Sequence, residues 1–147
     1  MASMVYITLD QAIEIHRKTV EVSGGGAMGA LNLGQLESVL ENIQNDLYYP
    51  TIEDKLTHLF FGSNKFHCFE DGNKRIALSL GAQFLLLNGY VFAATRFMRE
   101  MENVSYHVAA GRISKELLRT IVDELINEDE LSESTKLAIV SALIPEE

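Results

Sequence analysis

The chain has one cysteine, Cys68, in 147 residues. That excludes an internal disulfide and a cysteine-based zinc site. It has no apolar run near the ~18 residues that span a bilayer. The longest, ALSLGAQFLLL at 77–87, is too short and contains a glutamine. The basic-then-apolar start of a signal peptide is also missing, so the expected compartment is the cytoplasm. Basic residues are few: 12 Lys and Arg against 21 Asp and Glu, a formal charge of -9. Phosphate backbones need a basic surface, which argues against general binding to nucleic acid. An acidic surface suits solubility or a partner with basic patches. The four histidines, His16, His58, His67 and His107, lack the spacing of zinc ligands. No repeat and no low-complexity linker divides the chain, so a single domain over 1–147 is expected.

What is present is helical periodicity. An apolar fraction of 47% fits a folded core. Thr8 and Gln11 form a capping pair, with Ile7 and Ala12 as a hydrophobic staple. Ala12, Ile13, Ile15, Val20 and Val22 are predicted to turn mostly inward. SGGGAMG at 23–29 breaks this helix. Asn32 and Gln35 look like a second capping pair, before Leu33, Leu36, Val39, Leu40 and Ile43. NDLYYPTI at 45–52 reads as extended or turn, since Pro50 disfavours helix at Tyr49. One short β-hairpin is expected near Tyr48 and Tyr49. Thr51 and Asp54 open the next helix, with Ile52, Leu56, Leu59 and Phe60 inward. Ile76, Ala77, Leu80, Phe84, Leu85 and Leu87 then define a helix apolar on much of its circumference. That helix is predicted to be central and to stop at Asn88-Gly89. Further helices are predicted over 96–110, 114–127 and 132–143. The fold expected is a compact all-α domain.

Between two apolar helices lies HCFEDGNKR at 67–75. A helix N-terminus leaves N–H groups unpaired and carries partial positive charge. Gly72 permits the backbone angles of an anion-binding nest. Asn73 can cap the helix or donate to a phosphate oxygen, and Lys74 and Arg75 add full charge. Asp71 is a hard oxygen ligand suited to the magnesium of a bound nucleotide. His67 can accept a proton near neutral pH, activating an incoming hydroxyl for attack on phosphorus. Phe69 is read as the anchor of the loop. Each element alone is ordinary: a lone histidine is usually structural, and Asp-Gly-Asn is a common turn. Their ordered combination at a loop-to-helix junction carries the signal.

This run resembles the signature loop of the Fic/Doc (Fido) superfamily, His-x-Phe-x-Asp/Glu-Gly-Asn, then Gly or Lys, then Arg. It is most similar to the death-on-curing (Doc) branch. ITLDQAIEIH at 7–16, SGGGAMG, FLLLNGY at 84–90 and AAGRIS at 109–114 resemble Doc counterparts in the same order. The likeness covers roughly 5–126, and the helix from about Leu131 is an extension. The resemblance implies a compact helical fold and transfer of part of a nucleoside triphosphate to a protein hydroxyl, with ATP and Mg2+ bound. By position, His67 is then the general base, Asp71 the magnesium ligand, and Gly72, Asn73, Lys74 and Arg75 the phosphate holders. Tyr48, Tyr49 and Thr51 lie where the family has a flap that docks the target in extended form.

AMP-transferring members usually have a second glycine where this chain has Lys74, and an arginine where it has Leu78. The Doc branch has lysine at the first of these positions and moves the γ-phosphate instead, with elongation factor Tu as target. The expectation is therefore a Doc-like kinase, restrained by a Phd-like antitoxin whose C-terminal segment binds a groove as a helix. Thr120 to Glu124 has the spacing of the family's self-inhibitory helix, but Leu125 follows and is predicted to face the core. AMP transfer and a non-catalytic partner-binding protein are the competing readings.

Overall fold

The structure, a computed structural model, describes residues 3–22, 33–65 and 73–144. Eight helices follow in order: α1 (Leu9–Val22), α2 (Leu33–Asn42), α3 (Ile52–Lys65), α4 (Asn73–Leu87), α5 (Val91–Glu100), α6 (Glu102–Ala109), α7 (Lys115–Asn127) and α8 (Glu133–Leu143). No strand occurs among the described residues, and the all-α expectation holds. None of their helices is long and apolar enough to cross a membrane. The 23–29 glycine run and Asn32 lie outside the described residues.

The helix starts follow local chemistry. At α1 the Gln11 N–H donates to Thr8 Oγ1 at 3.1 Å, and the Thr8 N–H donates to Gln11 Oε1 at 3.0 Å. This reciprocal cap satisfies two backbone donors and is worth about 1 kcal/mol. Ala12 is buried as expected, but Ile13 is exposed and His16 is buried in its place. The inward face of α1 runs through positions 12 and 16, one turn apart, and Ile13 lies off that stripe.

At α3, Thr51 and Asp54 form the same reciprocal cap, at 3.1 Å and 3.3 Å. The segment before it is not a hairpin. Asn45 Oδ1 accepts from the N–H groups of Leu47 (2.9 Å) and Tyr48 (3.3 Å), and Asn45 O accepts from Tyr49 N–H at 2.9 Å. An asparagine that bonds the backbone two and three residues on closes a turn, which competes with strand pairing. Lys55 secures this turn from below. Its buried ammonium donates to Ile43 O and to Asp46 Oδ1, each at 2.7 Å.

Helix α4 is the centre of the fold. Ile76, Ala77, Leu80, Phe84 and Leu85 are fully buried, and Leu78 and Ala82 nearly so. The helix packs against α1, α3, α5 and α6. It stops as predicted: Gly89 has φ +87°, Gly89 N–H donates to Leu86 O at 3.1 Å, and Tyr90 N–H donates to Leu85 O at 2.9 Å. Such a left-handed residue closes a Schellman cap.

The helix predicted over 96–110 is instead two, and the first begins at Val91. The break is Met101, buried at φ -96° and ψ 2°. Its N–H still closes α5 on Phe97 O (3.0 Å), and its carbonyl opens α6 by accepting from Ser105 N–H (2.8 Å). The bend lets α5 bury Ala94 and Phe97 while α6 buries Ser105 and Val108. Arg96 joins α5 to the end of α7 by donating to Leu125 O at 2.9 Å and to Glu128 O. A cation there satisfies terminal carbonyls and complements the helix dipole. Helices α7 and α8 start near the predicted positions, capped by Ser114 and Ser132. Leu131 and Ile139 pack on the edge of the core.

Gly81 lets α5 approach α4. A Cβ there would lie 2.5 Å from both Cε1 and Cζ of Phe97 and 3.3 Å from Leu56 Cδ1. Phe97 is fully buried and meets Phe60 edge-on, with ring centroids 5.1 Å apart, so its ring has little room to retreat. Gly81→Ala gains up to ~1 kcal/mol of helix propensity. Overpacking costs about 1–3 kcal/mol and outweighs it. Urea denaturation is expected to show a net loss of stability, against the gain that propensity alone dictates.

Candidate functional site

Helix α3 ends at Lys65 and α4 begins at Asn73. The intervening positions, including His67, Phe69, Asp71 and Gly72, lie outside the described residues, as do the side chains of Asn73 and Lys74. Asn73, Lys74 and Arg75 form the first turn of α4. This turn carries the positive end of the α4 dipole and the N–H groups that have no partner within the helix.

Arg75 is exposed and lines a cleft of about 430 Å³ together with Lys18, Thr19, Leu78, Ser79, Met98 and Glu102. The far end of α1 thus faces the first two turns of α4 and the junction of α5 with α6. Among the described residues of this wall, Lys18 and Arg75 bring two cations and Glu102 is the one acid. The Thr19 and Ser79 hydroxyls lie 3.4 Å apart across it. Leu78 and Met98 supply apolar surface. Leu78, only 5% exposed, belongs to the core as well as to the wall. Two cations beside a helix N-terminus form an anion site suited to phosphate, and the apolar wall suits the rest of an organic ligand.

Tyr48, Tyr49 and Thr51 precede the opposite end of α3. That helix has 14 residues, so it is about 21 Å long. The Thr51 hydroxyl is engaged with Asp54 in the α3 cap, at 2.8 Å. Tyr48 and Tyr49 line a second cleft, of about 350 Å³, with Asp54, Thr57, Lys115, Glu116 and Arg119. Arg119 Nε donates to Asp54 Oδ1 at 2.7 Å, linking α7 to the start of α3.

Against this cleft sits His58, buried, its ring 4.5 Å from that of Tyr49. Lys115 Nζ is 2.8 Å from His58 Nδ1, and Tyr49 Oη is 3.2 Å from the same nitrogen. An ammonium can only donate, so Nδ1 accepts and the ring proton sits on Nε2. Burial, and secondly the charge of Lys115, push the His58 pKa down to about 4. No sequence pattern marks this group. His58 and Lys115 are 57 residues apart, and neither lies in a motif.

The cleft wall contains Arg75, the last residue of the His-x-Phe-x-Asp-Gly-Asn-Lys-Arg run, on the first turn of a helix in an all-helical domain. Residues 6–85 match the Fic/DOC family, and the chain belongs to it. The match runs from the start of α1 to near the end of α4 and includes Arg75, Leu78 and the whole signature run. Members of this family transfer nucleotide-derived groups to proteins, and a Fic-type protein-modifying function with a nucleotide substrate follows. No curated protein matches the chain.

The His58 pKa sets a pH dependence. Between its unfolded value near ~6.5 and its folded value of about 4, the unfolded chain binds a proton that the folded chain refuses. Stability therefore falls as pH drops through this window, by on the order of 3 kcal/mol from this group. His58→Gln is expected to flatten that part of the curve. Urea midpoints at pH 7, 5.5 and 4.5 for both proteins measure it, and an unchanged slope in the variant would refute the assignment.

Proposed function

We propose that this chain is a Doc-type protein kinase that moves the γ-phosphate of Mg-ATP to a hydroxyl side chain of a target protein. A translation factor is the first target to test, elongation factor Tu above all. The observation that carries this reading is Leu78. Where AMP-transferring members place an arginine, this cleft has a buried apolar wall. Lys74 in the first turn of α4, at the position of their second glycine, points the same way.

In this reading His67 takes the proton of the target hydroxyl. Its oxygen attacks the γ-phosphorus, the bond to the β,γ-bridging oxygen breaks, and ADP leaves. Asp71 would hold the magnesium of the nucleotide, which would neutralise phosphate charge. The backbone at Gly72 and Asn73, with Lys74 and Arg75, neutralises phosphate charge, which is most of what phosphoryl transfer asks of a protein.

Control in trans by a Phd-like antitoxin accompanies this proposal. The Thr120 to Glu124 pair is otherwise engaged. Glu124 accepts from Ser132 N–H at 2.6 Å and from the Thr135 hydroxyl, which fastens α8 to α7, and Leu125 is buried. No α7 side chain lines the Arg75 cleft.

The test is mass spectrometry of elongation factor Tu after incubation with the protein and Mg-ATP. A gain of one phosphate, lost with His67→Ala, is the expected result. A gain of AMP would replace the kinase reading with nucleotidyl transfer. No transfer to elongation factor Tu, or to any protein of a bacterial lysate supplied with γ-labelled ATP, would leave a partner-binding protein without catalysis.

A further inference from the structure

The cleft at the start of α3 holds an unusual cation. Lys115 Nζ lies 5.4 Å from the centroid of Tyr49 and 5.8 Å from that of Phe61, and its hydrogen bond goes to a neutral histidine. The ion pairs of the described residues engage Arg119 with Asp54 and Asp123, but none includes Lys115. Glu116 shares the cleft and favours the charge from a distance, without reaching ion-pair contact. Burial pulls the Lys115 pKa down, so the ammonium sits where it is not fully solvated. Holding a partly desolvated cation without a carboxylate is costly, and the cost is relieved when a partner brings one. Beside it, Leu47 is 91% and Tyr48 77% exposed on the 45–51 turn.

We propose that this cleft is a docking site for a segment of a partner protein that presents an aspartate or glutamate next to an apolar or aromatic side chain. The carboxylate pairs with Lys115 between the Tyr49 and Phe61 rings. The neighbouring side chain covers Tyr48 and Leu47. The exposed apolar rim favours a protein segment over a free small acid. Aromatic side chains supply large contact area at low entropic cost, and a charge pair inside that ring of contacts is shielded from water. The cleft takes in Tyr48 and Tyr49, where the resemblance places the target-docking flap, so the inference rests on the proposed function and adds the chemistry of the segment that docks there.

The test uses the full 15N-labelled chain and nuclear magnetic resonance titration. The probes are the blocked peptide Ac-Leu-Glu-Phe-NH2, its glutamine counterpart, and phenylacetate. The glutamate peptide is expected to shift Tyr48, Tyr49 and Lys115 signals saturably. The glutamine peptide should bind about tenfold more weakly, and Lys115→Met should remove that preference. Lys115→Met should also melt no lower than the parent, since an apolar side chain replaces an uncompensated charge. A lower Tm for this variant would overturn the premise. Phenylacetate binding as tightly as the glutamate peptide would replace the partner segment with a small acid. No saturable shift from any probe would remove the site.

Discussion

The enclosure of α4 is the constraint on which the rest depends. Four helices cover it, and the ring of Phe97 rests where Gly81 has no side chain. Each large side chain buried along α4 contributes about 1.5–3 kcal/mol, so the helix cannot rotate or slide without exposing several at once. Its C-terminal end is equally fixed. Asn88 Oδ1 accepts from Val5 N–H at 2.8 Å, and Asn88 Nδ2 donates to Val5 O at 2.9 Å. With the body and far end held, the backbone of the first turn of α4, which carries Arg75, is held as well. A site whose function is to position phosphate needs that rigidity more than it needs reactive groups.

Charge placement follows the same economy. The chain is acidic overall, with a formal charge of -9, and its clefts at α3 and α4 differ in balance. Lys18 and Arg75 outnumber Glu102 in the described wall of one, whereas Lys115 and Arg119 are matched by Asp54 and Glu116 in the other. In a mostly negative surface a local excess of positive charge is where anions gather. The acids near the C-terminus are partly structural: Glu124 holds the start of α8, and Asp123 braces Arg119 at 3.3 Å. Glu102, the acid beside Arg75, is the exception. It sets a negative charge in the same wall as Arg75.

Local chemistry made much of this fold legible. The Thr8–Gln11 and Thr51–Asp54 caps and the Asn88-Gly89 stop are reciprocal arrangements among residues within a few positions of one another. The wide apolar circumference from Ile76 to Leu85 identified the central helix for the same reason. What escaped was set by tertiary contact. The bend at Met101 has neither glycine nor proline to announce it, and it lets α5 bury Ala94 and Phe97 while α6 buries Ser105 and Val108. The 45–52 segment read as extended or turn because Pro50 disfavours helix, with a short hairpin expected near Tyr48 and Tyr49; the Asn45 side chain closes a turn there instead. The meeting of Lys115 with His58 joins α7 to α3 and has no local signature. The signature run was legible as chemistry, and the structure adds its setting through Arg75, Leu78 and the cleft they share.

That setting bears on which phosphate moves. In AMP transfer the α-phosphorus is attacked and pyrophosphate leaves with most of the negative charge, so cations must reach well beyond the reacting atom. Leu78 follows Arg75 by three positions, close to one helical turn, and so lies near the same face of α4. An arginine there would extend the positive surface along the cleft. A buried leucine ends it. The positive charge contributed by α4 is then concentrated at its first turn, where Lys74 and Arg75 stand together. On the proposed kinase reading, that first turn is the part of α4 that neutralises the transferred phosphate. The proposal rests on Lys74 and Leu78 standing where AMP-transferring members have glycine and arginine.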